Sequence, residues 1–530
     1  MTLTEIMARR AAADPDRQYF NVYGETVTYG TFWSQSLRYA AGFARAGIGA
    51  GDKVCLVYPT CAEFFYTYFG LLRLGAVPVP LYPTLGVEAT GNIFRNSEAR
   101  AVATVGWFRR EIEKAASASE DIKAILEPPD LDIDDPPPAL PAPQPSDLAF
   151  IQYTSGSTAD PRGVVLSHAN VAETMVFMAE GAALEREDRV VSWLPLYHDM
   201  GLIGCAFTPP LVGSPLWLLP PDLRNPRQWL ELVTQVRATF TVSPDFGYRN
   251  CVRNIHDVTG LDLSSLKGAL SGAEPVRLST IEAFEHKFGL RNVINPCYGL
   301  AEATLAVAIS PRGMPVRVDR SGRFVSSGQP CRGVSVRIVP AVEEWDDAGS
   351  LPPDVDGEIC VRSPGVMQGY HRNPEATARV LKPGGWLRTG DLGFVDADGF
   401  LYITGRLKDV IILGGENITP ADIEEVVDHV AGVRYSAAVG LSSERTGTQR
   451  LCVVAEVRDA AAETLPRLVR EIVNRVHEER GHRPSRVVLV RPGTIPKTSS
   501  GKIKRSHLAE MIHAGALRDQ IVYHSGSERP

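Results

Sequence analysis

Between residues 29 and 46 apolar side chains recur every three or four positions, the spacing of a helix with one buried face. Glycines at 47, 49 and 51 break that pattern, and Lys53-Val54-Cys55-Leu56-Val57-Tyr58 then reads as a strand. Residues 61–74 return to helical spacing and stop at Gly75; their aromatic stripe, Phe64, Phe65, Tyr68 and Phe69, is expected to pack in the core. Alternation of this kind predicts parallel strands joined by crossover helices. Residues 127–147 are crowded with proline and aspartate, a composition expected to give a surface connection with neither helix nor inner strand. A buried strand is expected at 148–153, and extended apolar runs follow at 189–196, 214–219, 238–243 and 293–296. Among these lies a helix with Asn225 as its cap and Pro226 at its first position. Residues 356–362 and 400–403 predict strands of a more antiparallel region. After Gly405-Arg406-Leu407-Lys408-Asp409 a smaller unit begins. It comprises a strand at 410–413, a Gly414-Gly415 turn, a helix capped by Thr419 with Pro420 first, and strands at 449–458 and 486–490.

Composition narrows the class. A chain of 530 residues is too long for one core, so two or three domains are expected. The net charge of −7 and the lack of a long basic run leave no electrostatic case for nucleic acid, which favours a small-molecule substrate. Eight cysteines without a C-x-x-C pair argue against a disulfide framework or a zinc site and fit reduced thiols in a cytoplasmic enzyme. The first residues lack an apolar signal core, and no apolar stretch is long enough to span a bilayer, although peripheral membrane association stays open. No H-E-x-x-H arrangement or internal repeat occurs.

The strongest candidate for chemistry is the loop after the strand at 148–153: Thr154, Ser155, Gly156, Ser157 and Thr158, continuing to Gly163. Glycine lets main-chain N–H groups approach a ligand, and small hydroxyls add donors suited to phosphate oxygens. The spacing is not that of a Walker loop, and no G-x-S-x-G elbow makes Ser155 or Ser157 a nucleophile. A flexible Ser/Gly linker is the plain alternative.

That loop heads an ordered series. Downstream stand Trp193-Leu194-Pro195-Leu196-Tyr197-His198-Asp199-Met200-Gly201, Ser271-Gly272-Ala273-Glu274-Pro275, Tyr298-Gly299-Leu300-Ala301-Glu302-Ala303-Thr304, Arg388-Thr389-Gly390-Asp391-Leu392-Gly393, Gly405 to Asp409, and a final run from Ile495 through Lys502 to Arg505. Together and in this order they resemble the adenylate-forming superfamily of acyl-CoA synthetases, nonribosomal-peptide adenylation domains and luciferases, over nearly the whole chain. The resemblance implies an α/β fold: a large multi-layer N-terminal body of mixed sheets and helices (1–404), a hinge (405–409) and a smaller mobile α+β C-terminal domain (410–530). It also implies activation of a carboxylic acid by ATP to acyl-AMP with release of pyrophosphate, then transfer to a thiol. Residues 154–158 would hold the β- and γ-phosphates, and Glu302 a magnesium ion. Gly272, Ala273 and Glu274 would line the adenine side, Tyr298, Gly299 and Thr304 complete the nucleotide site, and Asp391 with Arg406 take the ribose. Lys502 is the expected catalytic cation, bridging the attacking carboxylate and the α-phosphate. Lys408 would be the hinge, Gly414 and Gly415 the tunnel for pantetheine, and His198 the gate of an acyl pocket that includes Met200, Gly201, Asp245 and Phe246.

Relatives usually carry glycine at 159 and lysine at 162, where this chain has Ala159 and Arg162. The Tyr197 to Gly201 and Tyr298 to Thr304 stretches are most similar to fatty-acyl-AMP ligases, which pass the acyl group to a carrier-protein phosphopantetheine. The short run before Trp386 and the Gly414-Gly415-Glu416-Asn417 turn are more similar to CoA synthetases, so CoA is the favoured acceptor. A catalytically inactive nucleotide-binding regulator is the contrasting reading, opposed by the joint presence of Glu302, Asp391, Arg406 and Lys502.

Overall fold

Two parallel sheets form the frame of the body. In the computed structural model, which describes residues 1–117, 119–135, 139–154, 162–342, 349–413, 416–443, 448–458, 463–497 and 503–525, the larger sheet has nine strands. Its parallel centre runs in the order Ile294–Leu300, Gly268–Ser271, Phe240–Ser243, Val190–Ser192, Leu216–Leu218, Gln18–Val22. Antiparallel strands finish both edges, Leu305–Ile309 and Gln329–Pro330 on one side and Glu25–Thr28 on the other. The smaller sheet, Val77–Pro80, Lys53–Val57, Ala101–Thr104 and Ala124–Leu126, is parallel throughout.

Helices cover these sheets for the reasons the sequence gives. Thr28 caps Tyr29–Arg45 by accepting from the Thr31 amide, and Tyr29, Phe32, Ser36, Tyr39, Ala40 and Phe43 form its buried stripe. It lies against Ala62–Arg73, whose expected aromatic stripe is fully in the core. The two backbones approach closely at Gly70, where a Cβ would lie 2.9 Å from that of Tyr39.

Three local expectations need correction. The proline-rich connection contains a four-residue helix, Pro128–Leu131, because proline is well suited to the first turn and the Asp130 carboxylate accepts from the Glu127 amide. It drives Leu131 into the core against Gly42, where a Cβ would meet the Leu131 carbonyl at 2.3 Å. The helix expected from Pro226 is assigned from Arg227, with Pro226 as its cap. The strand expected over 189–196 is limited to Val190–Ser192, since the chain turns away into the proline-containing segment after it.

The remaining body strands are antiparallel. Gly357–Arg362 lies between Ser335–Val339 and Trp386–Val395, and the latter pairs onward with Leu401–Arg406. Leu148–Tyr153 and Gly163–Ser167 form a hairpin-like pair that Gly369–Tyr370 extends. Past residue 410 the chain builds a hairpin, Ile411–Leu413 with Glu416–Ile418, and a sheet ordered Val433–Ser443, Thr448–Val457, Arg486–Val490, Ile521–Ser525. Helices Pro420–Asp428 and Leu465–Arg480 contribute to one apolar layer of this sheet, and Arg505–His513 to another. Among the described residues, apolar clusters of the body include nothing beyond Ile403, and those of the C-terminal unit nothing before Ile411. No helix among them is long and apolar enough to cross a membrane.

Candidate active site

Neighbouring parallel strands deliver the sequence motifs to one edge of the large sheet. Trp193 to His198 follow Val190–Ser192, Pro244 to Phe246 follow Phe240–Ser243, Gly272 to Glu274 follow Gly268–Ser271, and Tyr298 lies near the end of Ile294–Leu300, before Glu302. The crevice beyond the carboxyl ends of parallel strands is where open α/β sheets hold ligands.

Tyr298 donates its hydroxyl to Asp391 Oδ2 at 2.6 Å, and Arg406 Nε reaches Asp391 Oδ1 at 2.7 Å. The second contact follows from register, since Asp391 and Arg406 face one another across antiparallel strands. Burial, reinforced by the Asp391 charge, pushes the Tyr298 phenol well above its ordinary range and keeps it a donor. A carboxylate has about four lone-pair sites, so Asp391, 3% exposed, keeps acceptor capacity beyond these two contacts. Beside it, the backbone at Gly272 lies against Cys297: a Cβ there would be 2.7 Å from Cys297 Sγ and 2.9 Å from its carbonyl oxygen. Ala273 adopts φ +66° and Thr304 φ +67°, strained values of the kind that gather at ligand sites. Gly299 has no room for a side chain, since a Cβ would lie 1.5 Å from the Leu305 carbonyl.

Glu302 accepts from the Tyr370 hydroxyl at 2.7 Å, and the Arg162 guanidinium stands 5.6 Å from the centre of the Tyr370 ring. Strand pairing opposite Val164 supplies Tyr370. Thr154 N–H donates to the Arg162 carbonyl at 3.1 Å. Ser155, Gly156, Ser157 and Thr158 lie outside the described residues, as do Gly414, Gly415 and Lys502. The donor set fits the expected ligands: Glu302 offers a hard carboxylate with one hydroxyl partner among the described residues, suited to magnesium, and Arg162 a cation suited to phosphate.

A cavity of ≈ 320 Å³ opens at these strand ends. Trp193, Tyr197, His198 and Phe246 from the large sheet form one wall, and Tyr58, Phe64 and residues 81–84 beside the small sheet form the other. Prolines 59, 83, 195, 220, 221 and 244 stiffen it. Of the four residues expected to line it, Met200 and Phe246 do. Gly201 instead packs beneath the 193–198 segment, where a Cβ would lie 2.2 Å from the Pro195 carbonyl. Asp245 is buried away from the cavity, accepting from the Arg277 amide at 3.2 Å and the Thr280 hydroxyl at 3.1 Å. Met200 opens a π-helix, Met200–Phe207, and the Asp199 carboxylate accepts from the Met200 amide at 2.7 Å. His198 Nδ1 lies 2.7 Å from Asp199 Oδ1, which orients the ring.

Glu274, expected on the adenine side, is tied to the segment that follows Phe240–Ser243. Its carboxylate accepts from the Phe246 amide at 2.5 Å. Burial and then the neighbouring Asp245 charge push it up to about 7. Residues that sequence reasoning passed over include Tyr370, whose ring joins Arg162 to Glu302, and the arginines Arg249 and Arg277, which meet the C-terminal unit. Pattern alone offers no signal for them, because their partners are remote in sequence.

Lys408 is exposed in the turn Leu407–Asp409 between the body and the C-terminal unit. Lys497, just before the segment containing Lys502, sits 3.2 Å above the Tyr435 ring, within electrostatic reach of Glu274 and Arg249. Ile503, just after it, bridges back to Lys497.

The AMP-binding enzyme family model matches residues 7–371. A long-chain-fatty-acid–AMP ligase, FadD26, of Mycobacterium marinum is 34% identical over 92% of both chains. A putative acyl-CoA synthetase of Caulobacter vibrioides is 32% identical over 98% of this chain and 96% of its own. Among solved structures, a fatty acyl-adenylate ligase from work on the E. coli and L. pneumophila enzymes superposes with TM-score 0.88 at 28% identity, covering 98% of each chain.

Proposed function

This chain belongs to the AMP-binding enzyme family, and from that premise we propose that it joins an apolar carboxylic acid to ATP, releases pyrophosphate, and passes the acyl group to the thiol of CoA. The observation that carries this reading is the convergence, at one set of strand ends, of an aromatic cavity with the Tyr298–Asp391–Arg406 cluster and Glu302.

In this reading Asp391 and Arg406 take the ribose hydroxyls, and the segment from Gly272 receives the base with no side chain in its way. Arg162 and the hydroxyls of residues 154–158 hold the β- and γ-phosphates. Glu302 would hold magnesium, which would supply positive charge against the phosphates. The acid lies in the cavity with its carboxylate at the His198 end, where aromatic and proline walls exclude water and strengthen every charge interaction. Lys502 enters from the C-terminal unit, pairs with the carboxylate oxygen as it attacks the α-phosphorus, and offsets negative charge that grows in the transition state. The chain then turns about residues 405–409, with Lys408 at the pivot, and presents Gly414 and Gly415 to the incoming pantetheine.

CoA is supported by the direct path from Gly369–Tyr370 through helix Pro374–Val380 to strand Trp386–Val395, which leaves no inserted segment there. A carrier-protein phosphopantetheine is the second reading, favoured by the similarity to AMP ligases. Incubation with ATP, magnesium and a panel of alkanoic and aryl-alkanoic acids, with CoA or with a carrier protein, separates the two by the acyl product formed. Pyrophosphate release without any acid dependence would defeat both. Lys502→Ala is expected to lower acid-dependent ATP–pyrophosphate exchange by roughly 10²–10³-fold while leaving the fold intact; near-normal exchange would remove Lys502 from the mechanism.

A further inference from the structure

The C-terminal unit is held to the body by a buried ionic contact. Asp428, the last residue of helix Pro420–Asp428, has a side chain only 3% exposed. Its Oδ2 accepts from Arg277 Nη1 at 3.1 Å and from Arg249 Nη1 at 3.5 Å, both from the body. Its Oδ1 accepts from Ser436 at 2.8 Å, which fixes the carboxylate on its own unit. The two arginines are themselves largely buried and are set by the body: the Arg277 main chain is tied to Asp245, and Arg249 lies on the helix Asp245–Asn254. Other ties between the units are more exposed, an Arg323–Asp422 pair and Arg253 donating to the Arg434 carbonyl at 3.1 Å. A buried carboxylate shared by two guanidiniums is strongly directional and costly to leave unpaired. The same docked arrangement brings Lys497, beside the segment that holds Lys502, into reach of Glu274.

We propose that Asp428, gripped by Arg277 and Arg249, is a positioning residue that holds the C-terminal unit in the orientation serving adenylation, and that its release accompanies the turn to thiol transfer. The inference rests on the two-step reading above. The clamp acts through placement of the C-terminal unit and touches no reacting atom. Since the apolar clusters of the two units are separate, loss of the clamp changes their relative orientation without unfolding either.

The test uses the full chain carrying Asp428→Asn, which keeps the shape of the side chain and removes its charge. Acid-dependent ATP–pyrophosphate exchange is expected to fall at least about tenfold, whereas transfer from supplied acyl-AMP to CoA stays within about twofold of wild type. Asp428→Glu restores most of the exchange. A fluorophore pair at Arg320→Cys and Glu510→Cys, both highly exposed positions, reports a shift in the inter-unit distance for Asp428→Asn alone. Wild-type exchange in Asp428→Asn overturns the proposal, and so does an equal loss of both half-reactions, the mark of a merely structural residue. If the wild-type chain itself shows no acid-dependent exchange, it is the adenylation reading that fails.

Discussion

Tyr298 and Asp391 are 93 positions apart in sequence and 2.6 Å apart in space. Their bond is charge-assisted, and removing such a bond costs roughly 1.5–3 kcal/mol. Tyr298→Phe is therefore expected to raise the KM for ATP roughly tenfold or more at constant KM for the acid, checked by steady-state kinetics with each substrate varied in turn. Glu274 yields a prediction on stability. Its carboxyl is raised from 4.5 to about 7, so the folded chain retains a proton that the unfolded chain has released. The associated stability is present in full below pH 4.5 and is lost as pH rises through about 7. Glu274→Gln keeps the acceptor for the Phe246 amide and should flatten that decline, leaving the part due to the raised Asp245. Urea midpoints measured across this window check it. At this scale the sequence singled out Asp391 and Glu302 as candidates because both stand inside motifs. It misjudged Gly201 and Asp245, whose neighbours in the chain face the cavity while they serve its support.

At the scale of elements, the π-helix Met200–Phe207 governs where His198 and Met200 stand. An extra residue in a turn leaves the helix no periodic signature, and the unbroken apolar run here hid it from sequence reading. Gly201→Ala would force a Cβ against the Pro195 carbonyl and move the segment carrying His198. The KM for the acid is expected to rise about tenfold with little change in that for ATP, measured with the acid as the varied substrate. Elements with strong local punctuation were legible: Thr419 and Pro420 start a helix as expected, and Arg486–Val490 matches its expected bounds. The short helix at Pro128–Leu131 was missed because proline was weighed as a breaker when it stands in a first turn.

The whole molecule is two bodies meeting at the turn Leu407–Asp409 and at the Asp428 contact. Lys408→Pro is expected to spare acid-dependent pyrophosphate exchange and to stop thioester formation, because proline fixes φ where rotation is needed. Following the two half-reactions separately tests this, and their joint loss would place the pivot elsewhere. Parallel sheets were legible from alternating periods. How the two bodies dock was not, since Asp428 finds Arg277 and Arg249 at separations of 151 and 179 residues, with no repeating pattern to announce the match.

All eight cysteines are free, six of them buried and the other two largely so. Burial pushes six thiols up to about 12, and Cys61 and Cys251 higher still. The thiolate is what attacks a maleimide, and these sites withhold it at neutral pH. The natural chain is thus a silent background for dye chemistry, and a single surface thiol can be labelled without first stripping out its own.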